Sequence, residues 1–439
     1  MEAYFSQIAA VVDRALVAGE RHATWFSAEQ SDFVRMNRGK VRQPGRVVQR
    51  HLDIRLIQGA RHATHSLSLT GDLGVDTRAI QGAVAGLRSA LPELADDPHL
   101  LLPAAVASSS VTRGGELPSA ETMVETILGA AQGHDLVGLL AAGPVCRGFC
   151  NSEGQRNWHA VTTFNLQWSL YHRADKAIKS TYTGFAWDDT ELRRRMGSAV
   201  ERLALISRPP KSLQPGRYRA YLAPGALEEI ASLLCWGGFS ARALATQQSA
   251  LAKMKNDARL DRRISISENT GGGVAPAFQA EGFVRPAQVP LIADGALVGS
   301  LVSPRTAREF ELHANGANAH EMPEALAMAG GALHERDAPD ALDTGLAIGN
   351  LWYLNYSDRP ACRMTGMTRF ATFWVERGRI VAPVDVLRFD DTLFRMLGTS
   401  LEALTADTEL SLESVTYGER ALSGMRLPGV LLSELTFTL

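Results

Sequence analysis

The stretch from Arg217 to Leu251, RYRAYLAPGALEEIASLLCWGGFSARALATQQSAL, is the first place to look for chemistry, because two halves of the chain meet just before it. Cys235, at the end of an expected helix, could serve as a nucleophile only with a histidine beside it and a lowered pKa. The stretch contains no histidine, so Cys235 and Trp236 read more simply as core. His320-Glu321-Met322-Pro323-Glu324 copies the start of a zinc helix, but Pro323 forbids the regular helix such a motif requires. His313, His320 and His334 share one segment and could hold a metal, although nothing fixes their geometry, and exposed polar residues are the simpler reading. His62 and His65, three apart on an expected strand, point to opposite faces. Cys146 and Cys150 lack the spacing of a zinc knuckle and read as buried thiols. Gly271-Gly272-Gly273 could cradle an anion, yet it lacks the strand-to-helix context of a phosphate loop and reads as a turn.

The elements that would position these residues are set by periodicity. Pro215-Gly216 signals a turn, Arg217 to Leu222 a short strand, and Pro224-Gly225 a helix start, with Glu228 and Glu229 favoured by the helix dipole. Leu227, Ile230, Ala231 and Leu234 recur at helical spacing, so one face is buried as far as about Cys235, and Gly237-Gly238 ends the helix. Before this point, Tyr4 to Gly19 is an amphipathic helix. Asp32 to Asn37, Arg46 to Gln58 and Ala63 to Thr70 alternate as antiparallel strands. Helices are expected at Ala79 to Leu91, Ser119 to Ala131 and Asp188 to Leu205, with Arg193-Arg194-Arg195 a solvated face of the last. Strands are expected at Val145 to Phe149, around Trp158 to Tyr171 and at Ala177 to Ala186.

Beyond Leu251 the better strands are Leu260 to Ser267, Ala287 to Leu291, Ala296 to Leu301, Arg369 to Val375 and Arg379 to Val384. Ala314 to Asp343 reads as a long surface loop. The expected fold class is α+β, in two domains. Residues 1–212 form helices with a largely antiparallel sheet, and residues 213–439 form a β-rich, barrel-like domain.

Composition narrows the function classes. The 439 residues carry 47 acidic against 45 basic side chains with no long block of one sign, which argues against a nucleic-acid or membrane-surface protein. Four cysteines in so long a chain make no disulfide framework and suit a reducing compartment. No apolar run approaches the ~18 residues of a membrane span. A cytoplasmic protein is expected.

The strand-proline-helix segment and the chain beyond it resemble the TldD/PmbA family, in which PmbA is also called TldE. The opening strands in VRMNRGKVRQPGRVVQRHLDIRLI, the hairpin Asn151-Ser152-Glu153-Gly154, the Glu281-Gly282 segment with the turn at Ala307, and WVERGRIVAPV (Trp374 to Val384) occur in the family's order. The resemblance runs from about Phe33 to Leu439. It implies two related subunits that pair as a zinc metallopeptidase. In the catalytic type the helix carries His-Glu-x-x-x-His, two metal ligands flanking a glutamate. Here the corresponding positions fall near Leu234, Cys235 and Phe239, within a residue or two. A late cysteine, a further zinc ligand in the catalytic type, is replaced by Tyr417 at about its place.

A catalytic zinc needs about three protein ligands and an open position, so the resemblance implies the non-catalytic, PmbA-type subunit. No metal site and no catalytic residue are expected in this chain. Zinc is expected in a TldD-like partner, and the substrate would be a short or unfolded peptide. For a substrate wall the named residues are Trp236, Phe239, Arg363, Thr368 and Arg369, with core packing and surface ion pairs as the competing roles. Two other classes stay open: a stand-alone peptide-binding or chaperone-like homodimer, and an enzyme that works through Cys235 or the loop histidines.

Overall fold

The computed structural model describes residues 1–173 and 176–438. Alternating side chains in the first half build a seven-stranded sheet from β1 (Arg21–Asn37), β2 (Lys40–Gln58), β3 (Arg61–Ser68), β4 (Ser109–Arg113), β5 (Asp135–Asn151), β6 (Arg156–Arg173) and β7 (Lys176–Gly184). Its order is β3-β2-β1-β5-β6-β4, with β7 on the same edge of β6 as β4 but further along. All pairs are antiparallel except β4 with β6. Phe26, Cys150 and Trp158 share one face and pack under α1 (Glu2–Ala15) and α2 (Leu73–Ala90) against Phe5, Ile8, Ile80 and Val84. Further along that face, Met36, Leu140, Leu166 and Trp168 pack under α3 (Ala120–Ala130) and α4 (Asp189–Ile206).

The opposite face is buried too, and it is polar. Glu29, Ser31, Arg147, His159, Thr163 and Asn165 all lie below the surface. A strap from the far end of the chain, residues 413–423, satisfies several of them. Asn165 Nδ2 donates to Glu413 O at 3.3 Å, and Arg147 Nη2 donates to Glu419 at 3.0 Å. Arg420 donates to Gly143 O at 3.0 Å and to Thr163 Oγ1 at 2.7 Å. Leu422 packs on Val145 and Val161. His159 Nε2 lies 3.0 Å from Val274 O, and burial pushes its pKa down to about 4, so the ring is neutral.

The second half forms an eleven-stranded mixed sheet. Its strands are β8 (Gly216–Leu222), β9 (Ile266–Glu268), β10 (Val289–Ala293), β11 (Ala296–Leu297), β12 (Ala325–Met328), β13 (Gly345–Asp358), β14 (Arg363–Glu376), β15 (Arg379–Pro383), β16 (Arg388–Thr392), β17 (Leu401–Leu412) and β18 (Gly424–Phe437). β18 pairs with both β16 and β8, so the path β8-β13-β14-β16-β18 returns to β8. Inside the turn of the sheet lies α5 (Pro224–Cys235), surrounded by the largest apolar cluster, which includes Leu227, Ile230, Phe389 and Val430. Ala371 and Phe373 of β14 belong instead to the cluster beneath α3 and α4, so the two halves share packing.

The α+β class is observed, and several local expectations are corrected. The expected strand Val145 to Phe149 is longer: β5 spans Asp135–Asn151 and runs through Gly143-Pro144. The ladder to β1 skips there, with Glu29 on Val145 and Asp32 on Ala142, so a proline without an N–H breaks no bond. Pro44 likewise sits where, among the described residues, β2 pairs with β1 alone, because β3 pairs with residues 51–58. The expected strand Leu260 to Ser267 shrinks to Ile266–Glu268, since Leu260 and Asp261 are held by loop bonds to Gly295 and Leu397. Ala314 to Asp343 is no surface loop. It contains β12, which is inserted between β9 and β18, and a short helix, Ala338–Leu342. Arg195 is also no solvated side chain, because it pairs with Glu191 and Glu409.

Arg420 is the strap's main polar anchor. Arg420→Met is expected to leave buried oxygens unpaired and to cost about 2–4 kcal/mol, read from urea denaturation. A change below ~0.5 kcal/mol would show that the strap contributes little.

Candidate functional site

Helix α5 separates two chemistries. Pro224 in the first turn, with its fixed φ, starts it, and Leu227, Ile230, Leu234 and Cys235 are buried on one side. Gly238 stops it by donating to Leu234 O at 2.9 Å, where an added Cβ would lie 2.3 Å from that same oxygen. The other side carries Glu228, Glu229 and Ser232, which line a cavity of about 800 Å³.

The cavity runs between the start of α5, helix α4, and strands β7 and β17. Ile178, Lys179, Ser180 and Thr181 line it consecutively, so β7 presents its edge to the cavity rather than one face. Arg195 Nη1 donates to Thr181 O at 2.9 Å, which shows that this carbonyl points away from β6. Burial raises the pKa of both Glu228 and Glu229, and Lys179 partly offsets this; Glu228 Oε1 also accepts from Ser411 Oγ at 2.5 Å. The site therefore combines a strand edge that pairs with no other strand among the described residues with desolvated carboxylates and basic side chains of α4.

The positions matched to a zinc motif present no such chemistry. Leu234, Cys235 and Phe239 are 2%, 4% and 0% exposed, within the apolar core. Burial pushes the Cys235 thiol up to about 12, the reverse of what a nucleophile or metal thiolate needs. Two apolar side chains and a buried thiol do not fit a zinc ion. Among the described residues no group of three or more His, Cys, Asp or Glu side chains is placed to hold a metal.

The other sequence candidates disperse. Trp236 is 65% exposed, and its carbonyl accepts from Arg359 Nη2 at 2.8 Å. Phe239 is core, which removes it from any substrate wall. Arg363 pairs with Asp390 at 2.9 Å, and Thr368 is buried with its hydroxyl accepting from Leu387 N. Arg369 lies 3.8 Å over the Trp352 ring. None of these five lines the cavity. His313, His320 and His334 are exposed. Glu321 is buried, accepting from Ser240 Oγ, Arg242 N and Ser303 N, so the zinc-like string is a structural knot. His62 pairs with Asp97 at 3.0 Å, and all four cysteines are buried and free. Gly271–Gly273 is a turn held by Asn269 Oδ1 accepting from Gly272 N. Tyr417 is 94% exposed on the strap. The cleft residues Glu228, Glu229 and Ser232 were visible in sequence only as the polar side of the helix.

Residues 215–439, the part holding α5 and the closed strand path, match the family model described as the PmbA/TldA metallopeptidase C-terminal domain. The chain belongs to the PmbA/TldA metallopeptidase family. No curated protein sequence matches it. The whole fold is similar to TldE from Thermococcus kodakarensis, at 12% identity and a TM-score of 0.79, covering 99% of this chain and 100% of that one. It is also similar to a proposed DNA gyrase modulator from Thermotoga maritima, at 12% identity and TM-score 0.75, with 100% of both chains covered. A protein described in the same terms from Bacteroides thetaiotaomicron gives 16% identity and TM-score 0.73, over 99% and 98% of the two chains. Two family motifs from opposite halves touch: Gln155, just after the Asn151–Gly154 hairpin, donates through Nε2 to Gly282 O at 2.9 Å.

Two measurements separate core from surface beside α5. Phe239→Ala is expected to lose about 3–5 kcal/mol of stability, and Trp236→Ala less than ~1. Equal effects would overturn the placement.

Glu268 faces the same core. Its Oε1 accepts from Glu324 N and Ala325 N at 3.0 Å, Oε2 has no partner, and burial raises the pKa to about 7. A raised carboxyl pKa means that the folded state holds the proton longer. Stability therefore falls as pH rises from the unfolded value of 4.5 to about 7, then levels off. Glu268→Gln should abolish up to roughly 3 kcal/mol of this slope, measured by denaturation at pH 5 and pH 8. An unchanged slope would refute the assignment.

Proposed function

We propose that this chain is the non-catalytic subunit of a heteromeric zinc metallopeptidase of the TldD/TldE type, acting on short or unfolded peptides. The observation that carries the reading is the occupation of the zinc-motif positions by Leu234, Cys235 and Phe239 in an apolar core. With no ligand and no base at that place, zinc and the glutamate that activates water would come from a His-Glu-x-x-x-His partner. This chain's part is to bind and orient. The edge of β7 offers backbone donors and acceptors to an extended peptide, which gives affinity without strong sequence preference. The charged walls hold the peptide's polar groups. A lasting pair would bury more than ~1,000 Å².

The test is a cleavage assay on an unstructured peptide. Alone, the chain is expected to cleave nothing. Mixed with a zinc-bearing homologue from the same source, it should support cleavage that a chelator abolishes. Hydrolysis by the pure chain would sink the proposal. Peptide binding without cleavage under any pairing would favour the stand-alone binding module.

A further inference from the structure

We propose that the inner end of the α5 cleft binds the terminal carboxylate of a peptide, with Arg202 as its anchor. This deepens, and rests on, the reading that the cleft holds peptide. Arg202 projects from α4 into the cleft wall, its guanidinium 5.8 Å from the centre of the Phe373 ring. Among the described residues it makes no hydrogen bond and no ion pair, unlike Arg194 and Arg195, which share Glu191. The acid whose field reaches it, Glu335, stays beyond ion-pair distance. Burial lowers the guanidinium's pKa, which reflects the cost of a desolvated cation without a counter-ion. Arg426 also lines the cleft, with no ion-pair partner among the described residues.

The topology brings the start of α5 to this place. A Cβ on Gly225 would lie 3.5 Å from Gly349 O and one on Gly349 would lie 3.2 Å from Ala371 Cβ, and Ala371 shares a face of β14 with Phe373, under Arg202. Pro224 has no N–H, and the N–H of Gly225 lies in the helix's first turn, where no acceptor exists within the helix. Both residues line the cleft. An unpaired guanidinium that lines the same cleft as a helix N-terminus suits a planar monoanion, with the arginine fork matching a carboxylate's two oxygens. An internal peptide segment has no such group at its end. The inferred ligand class is thus peptides and cleavage products with a free C-terminus lying along β7.

The probes are N-acetyl-pentaalanine with a free C-terminus and its C-terminal amide, titrated calorimetrically into the full chain. The free acid is expected to bind at least about tenfold more tightly. Arg202→Met should bind both probes alike, at the affinity the native chain shows for the amide, and Arg202→Lys should keep part of the preference. Thermal melts establish that the variants fold. Equal binding of the two probes, binding of neither, or a preference that survives Arg202→Met would overturn the inference. A chain that shows no acid preference yet confers cleavage on a zinc-bearing partner would sink the anchor and leave the paired-subunit reading. An acid preference without partner-dependent cleavage would do the reverse.

Discussion

The structure depends on satisfying the second face of the first sheet. A strand with both faces buried is ordinarily apolar throughout, because buried polar groups without partners cost several kcal/mol. Here one face is apolar under helices, and the other buries Glu29, Arg147, His159, Thr163 and Asn165. That face is stable only because the strap around Arg420 and the segment around Val274 bring matching donors and acceptors from the second half of the chain. The mutual need fixes how the two sheets sit against each other.

Their relative placement creates the cleft. β7 and α4 come from the first half, α5 and β17 from the second, and no element alone encloses the space. Thr183 Oγ1 donates to Leu410 O at 2.9 Å where β7 and β17 meet, and Arg195 joins the two walls through Thr181 O and Glu409. Burial then shapes the chemistry: the pKa values of Glu228 and Glu229 are raised and Arg202 of α4 has no ion-pair partner among the described residues, while the far side of α5 is pure core. Helix α5 is thus a packed support with a polar rim.

Much of the fold was legible. Pro224, the spacing of Leu227, Ile230 and Leu234, and Gly237-Gly238 imply a helix from Pro224-Gly225 to about Cys235, and α5 spans Pro224–Cys235, since caps and apolar periodicity act locally. The α+β class and most strands of the first half are implied by alternation. The short strands around Ile266 and Ala325 were missed or misjudged, because their pairing partners lie far away in the chain and their segments carry no periodic pattern. Site residues were harder. Trp236 and Phe239 stand three apart, yet one is exposed and the other buried, a difference set by the turn at Gly237 and not by residue type.

Local spacing and side-chain identity are enough to place the helix that bears the family position, its lack of histidine and the elements that flank it. Only the tertiary structure decided that Glu228, Glu229 and Ser232 face a cavity with the edge of β7 and with Arg202. Those residues are brought together by the packing of two sheets through a buried polar face, and burial, which tunes their charges, has no local signature in the chain.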